Sequence, residues 1–86
     1  MSACPSLSYA NIDQAKWVAI KAAVIAEMPS LAPMVDAGSG EHDGVTIAWV
    51  YAENTLTLTA TDSPWWASCA MINGEIDGLI RPLLLG

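Results

Sequence analysis

The 86-residue chain is poor in charged residues and poorer still in basic ones. It has three Lys or Arg residues against nine Asp or Glu, one histidine and no phenylalanine, and its formal net charge is −6. Proteins that bind nucleic acid through the phosphate backbone rely on clustered Lys and Arg. The composition therefore argues against direct nucleic-acid binding.

Cysteine is scarce, and no segment has the features of a membrane anchor. Cys4 and Cys69 could form one disulfide, but two cysteines are too few for a disulfide framework, so free thiols are the default expectation. The first ten residues lack the basic segment and apolar run of a secretory signal. The most apolar window, residues 17–26, contains Lys21 and is too short to span a bilayer. These absences predict a cytoplasmic protein that does not contact membranes.

Catalytic and metal-binding patterns are also missing. Glu41, His42 and Asp43 are consecutive, and their spacing matches neither a calcium loop nor paired zinc ligands. His42 is the sole histidine, and Cys69, its candidate nucleophile, falls in a predicted buried stripe. We therefore expect no catalytic residue, no metal and no cofactor, and we expect that the protein is not an enzyme.

Apolar residues, by contrast, are abundant. The chain is 53% hydrophobic and 14% charged, against a usual charged share of about 25%. A chain of this length buries only about 60–65% of its unfolded surface, so residues 1–86 should form one small domain. Too few charges remain to coat its outside, which predicts that another chain covers part of the apolar surface.

The first half of the chain predicts one helix. Asn11 is a suitable N-cap with Gln14 three residues later, and Pro29 closes the segment, which gives a helix over about residues 12–28. Two apolar stripes lie on nearly opposite sides of this helix, one formed by Trp17, Ile20, Val24 and Met28 and the other by Val18, Ala22 and Ile25. The second stripe is covered either by residues 30–35 or the C-terminal LLLG, or by a partner.

After a loop at residues 36–44, alternating apolar residues predict a β-hairpin. Its strands cover residues 45–51 and 55–60, with a turn centred on Glu53 and Asn54. This turn places three pairs on a shared face: Tyr51 with Leu56, Trp49 with Leu58, and Ile47 with Ala60. Glu53 is the only charged residue from 44 to 60, and no Pro or Lys protects the strand edges, so we expect them to pair with another strand.

From Asp62 onward, the apolar spacing becomes helical. Asp62 or Ser63 would cap the helix, Pro64 suits its first turn, and Pro82 would end it. The predicted buried stripe is Trp65, Cys69, Ile72, Ile76, Leu79, Ile80 and Leu83. In the alternative interpretation, the Asn73–Gly74 pair forms a hairpin turn between two strands, but seven positions match the helical template.

These elements predict an α+β fold with the order helix, two-stranded antiparallel β-hairpin, helix (αββα), whose sheet is completed by dimerisation. The predicted partner contacts lie on surfaces turned away from the core and are Trp66, Ala70, Gly74, Gly78, Val18 and Ile25. Tryptophan is common at binding hot spots, and small residues let another backbone approach closely. Alternatively, the two glycines mark an irregular helix.

The expected function is that of a non-catalytic protein–protein interaction module that occludes or assembles a partner surface. The partner is another protein or a second copy, with a homodimer favoured. The size and acidity are consistent with a phage-type or toxin-neutralising inhibitor. Two alternatives are a structural subunit of a homo-oligomeric assembly and a carrier of a small apolar ligand.

Overall fold

The computed structural model describes residues 3–85 and contains a four-stranded antiparallel sheet with two helices. The elements in chain order are β1 (Leu7–Tyr9), α1 (Gln14–Glu27), a 3₁₀ turn (Pro29–Leu31), β2 (Ala37–His42), β3 (Val45–Ala52), β4 (Thr55–Asp62) and α2 (Cys69–Leu85). The strands lie in the order β1-β4-β3-β2. The prediction of a two-stranded hairpin between two helices is therefore wrong, although the α+β class holds.

The two outer strands cover the edges that were expected to pair with a second copy. β1 pairs with β4, and β2 pairs with β3. β2 has the sequence AGSGEH, and its glycines permit close packing: a Cβ on Gly38 would lie 3.3 Å from the Trp49 ring, and one on Gly40 would lie 2.5 Å from the Leu31 side chain. The sheet is thus completed within one chain, and dimerisation is not needed to complete it.

The predicted register of the central hairpin is confirmed. The observed partners of Tyr51, Trp49 and Ile47 are Leu56, Leu58 and Ala60, respectively. Glu53 and Asn54 form the turn, with φ angles of 52° and 59°. Positive φ at both central residues is the geometry that joins twisted strands by a two-residue turn.

α1 buries the stripe that contains Trp17. The carboxylate of Asp13 accepts a hydrogen bond from the Lys16 backbone N–H at 2.9 Å, so Asp13 is the N-cap and the prediction of Asn11 is wrong. The Trp17 ring is fully buried and stacks on Tyr51 with 4.8 Å between ring centroids. Helix and sheet therefore share a core built around this aromatic pair.

α2 begins several residues later than predicted. Residues up to Asp62 extend β4, and Ser68 instead caps the helix: its hydroxyl accepts a hydrogen bond from the Met71 backbone N–H at 3.2 Å. Trp65 lies in the preceding turn and is 93% exposed, so its predicted place in the core is wrong. Pro82 was expected to end the helix but lies within it.

A disulfide between Cys4 and Cys69 connects the segment before β1 to the first turn of α2. The expectation of free thiols is therefore wrong. Within the described residues, none of the helices is sufficiently long and apolar to cross a bilayer.

Candidate functional site

An open groove runs beside α2 on the helical side of the sheet. Its walls come from the C-terminal end of α1, the β2–β3 turn, the start of β3, and the segment from Trp66 to Leu79. Its volume is about 580 Å³, within the range of about 300–1,000 Å³ that is typical of ligand sites. We call it the α2 groove.

The floor of the α2 groove is apolar. Ile47 of β3 and Ile76 of α2 are both buried and contribute to the core as well as to the groove. Trp66 and Met71 line the same groove but remain 59% and 47% exposed. The fold therefore leaves two large apolar side chains in solvent beside an apolar floor.

The groove carries carboxylates on three of its walls. Glu27 ends α1, Asp43 lies in the β2–β3 turn, and Glu75 lies on α2. Nε2 of His42 is 3.3 Å from Oδ2 of Asp43. In the part of the chain that the structure describes, no Lys or Arg lines this groove. Its electrostatic character is therefore acidic, in keeping with the negative charge of the chain.

Gly78 lines the groove from α2, and a Cβ added to it would meet no atom within 4 Å. Gly78 thus leaves open space at the wall of the groove.

The six predicted contact residues are distributed over both helices and the turn before α2. Trp66 and Gly78 line the α2 groove. Ala70 and Gly74 are exposed on the same helix but do not line it. The remaining two lie on α1, where Val18 is 57% exposed and Ile25 packs partly buried against the core. Two of the six residues therefore contribute to the α2 groove, and four do not line it.

Sequence reasoning missed Met71 and the three carboxylates of the groove. Met71 and Glu75 are four residues apart on α2, a spacing that places them on one helical face. This signal was present in the sequence. Glu27 and Asp43 come from distant segments, and only the tertiary fold brings them to the groove.

A polar cluster beyond the groove fastens α2 to β1. The Tyr9 hydroxyl donates to Oδ1 of Asp77 at 2.7 Å, and Nε of Arg81 donates to Oδ2 of Asp77 at 2.9 Å. The hydrogen bond from Arg81, followed by that from Tyr9, lowers the pKa of Asp77 below its ordinary value of 3.8. Burial, with a further contribution from Asp77, raises the pKa of Tyr9. The carboxylate thus holds the helix in place as an anion.

Both cysteine sulfurs are engaged with each other, so neither is a free thiolate nucleophile. Across residues 3–85, no three His, Cys, Asp or Glu side chains are grouped so that they could hold a metal ion. Apolar contact with a charged rim is what this geometry can provide.

The fold is a small α+β domain with an acidic groove whose floor is apolar. Comparisons with protein-family models, curated proteins and solved structures found no match to this chain.

Proposed function

We propose that this chain is a non-catalytic protein–protein interaction module that binds a segment of another protein in the α2 groove. The supporting observation is the exposure of Trp66 and Met71 beside an apolar floor. Tryptophan is enriched at hot spots because it supplies a large contact area at little cost in rotamer entropy. Binding at this groove would remove both side chains from water.

A different protein suits this groove better than a second copy of the chain. Each copy has a net charge of −6, and the groove itself has an acidic rim. Of the three basic residues, Arg81 is already paired with Asp77. Since a second copy would bring like charge, we expect light scattering to give the monomer mass across a wide concentration range.

The proposal is tested with two matched glycine variants. Gly78→Leu adds a side chain at a residue that lines the α2 groove, whereas Gly74→Leu adds the same side chain one helical turn earlier, at a residue that does not line it. Neither added side chain starts from a steric clash, because both glycines have open space at the Cβ position. The two variants should therefore fold equally well, which circular dichroism and thermal unfolding would verify.

The assay is selection of displayed random 12-residue peptides on the wild-type protein, followed by affinity measurement on both variants. We expect the selected peptides to lose at least about tenfold in affinity for Gly78→Leu and to keep their affinity for Gly74→Leu. Peptides that bind all three proteins equally would place the binding surface elsewhere and reject the proposal.

We propose the compartment from the redox chemistry of the cysteines. The cytosol keeps thiols reduced, so a persistent Cys4–Cys69 bond favours an oxidising compartment over the cytoplasmic location expected from the sequence. Alkylation of thiols in intact cells, followed by mass spectrometry, would decide this. Fully alkylated cysteines would restore the cytoplasmic assignment.

A further inference from the structure

We infer that the segment bound in the α2 groove is an amphipathic helix whose apolar side is flanked by Lys or Arg. This inference rests on the proposed function and adds the chemistry of the partner. Two observations support it. Carboxylates lie on the groove walls, and β3, which contributes to the groove floor, is already paired with a strand on each side.

The carboxylates on the groove walls favour a partner that carries basic residues. Glu27, Asp43 and Glu75 come from three different elements, so negative charge surrounds the apolar floor on more than one side. Among residues 3–85, neither Glu27 nor Glu75 forms an ion pair with Lys or Arg. A partner with basic residues on both sides of an apolar stripe matches this distribution.

The central strand that contributes to the groove floor has no free edge for an extended partner. β3 contributes Val45 and Ile47 to the groove, but it lies between β2 and β4 and pairs with both. Its hydrogen-bonding groups are therefore not free to add another strand, as recognition by β-augmentation requires. A helix satisfies its own backbone hydrogen bonds and presents only side chains to the groove.

Exposed side chains on α2 and in the turn before it fit the apolar stripe of such a helix. Trp66 and Met71 can pack against apolar residues at helical spacing, and methionine adapts to different partner shapes.

The test uses three labelled synthetic peptides of about 16 residues. The first is an amphipathic helix with Leu on one side and Lys at the flanking positions. The second has Gln in place of every Lys, and the third keeps the Lys residues but has two central prolines that prevent helix formation. Fluorescence anisotropy at low and high salt would measure the affinity of each peptide for the full chain.

A pair of protein variants separates local charge from net charge. Glu75→Gln removes a carboxylate from the groove, whereas Glu53→Gln removes one from the exposed β3–β4 turn. We expect the Lys helix to bind about tenfold tighter than the Gln helix, with the preference reduced at high salt. Glu75→Gln should weaken binding of the Lys helix about two- to fivefold, and Glu53→Gln should not.

Several results would overturn the inference. Equal effects of Glu75→Gln and Glu53→Gln would mean that the peptide responds only to net charge. If the Gln helix or the proline peptide binds as tightly as the Lys helix and is still blocked by Gly78→Leu, the partner chemistry is wrong while the proposed function stands. If Gly78→Leu blocks no peptide of any kind, including the display-selected ones, the proposed function fails as well.

Discussion

Reduction of the Cys4–Cys69 bond should destabilise the domain by about 4 kcal/mol. The two cysteines are separated by 65 positions, and closing a loop of that length removes about 14 cal/mol/K of entropy from the unfolded chain. A chain of 86 residues has an unfolding free energy of about 4–13 kcal/mol. The loss therefore amounts to a third or more of the total, which corresponds to a fall in Tm of about 15–30 °C.

Thermal unfolding followed by circular dichroism, with and without a phosphine reductant, measures this loss. The Cys4→Ala/Cys69→Ala double variant is the control, because its Tm should be low and should not respond to the reductant. A thiol assay on the native oxidised protein should find no reactive cysteine. Two reactive thiols, or a Tm that changes by only a few degrees on complete reduction, would refute the argument from loop closure.

Three further predictions concern individual side chains. Trp17→Ala should lower the unfolding free energy by about 3–5 kcal/mol because the Trp17 ring is fully buried. Trp65→Ala should change it by less than about 0.5 kcal/mol because Trp65 is exposed, and urea unfolding measures both values. Gly74→Ala and Gly78→Ala should each raise the unfolding free energy by about 0.5–1 kcal/mol, measured by thermal unfolding, since the helix gains propensity and meets no clash. Asp77 has a lowered folded-state pKa, so it stabilises the fold above its unfolded-state pKa of about 4, and this contribution is lost as the pH falls through the folded value. Asp77→Asn should therefore reduce the loss of unfolding free energy at acid pH, measured by urea unfolding at successive pH values.

The central hairpin was predictable from sequence because its information is local. Strict alternation of apolar residues and a turn at Glu53 and Asn54 determine the register of β3 and β4. β1 has only three residues, and β2 contains two glycines that are typical of a loop. Both strands form because they pair with β4 and β3, a tertiary effect that local propensity does not contain.

The wrong prediction that Trp65 lies in the core has a similar cause. A helical pattern continued through Trp65, but β4 extends to Asp62 and the Cys4–Cys69 bond fixes the first turn of α2. Residues 63–68 therefore connect a strand to a helix and cannot continue the helical stripe. Among the groove residues, Trp66 and Gly78 were predicted as partner contacts from the sequence, although Trp66 lies in the turn before α2. Glu27 and Asp43 required the fold.

The fold does not itself require the apolar exposure beside the α2 groove. Its core is closed by buried residues of the sheet and both helices, including Ile72, Ile76 and Ile80 on α2. Trp66 and Met71 add little to that core, and leaving them in water promotes non-specific association. Polar residues at these two positions would keep the helix and improve solubility. Under the proposed function, a bound partner accounts for their apolar character. Trp66→Ser and Met71→Gln should therefore preserve stability while abolishing binding at the groove.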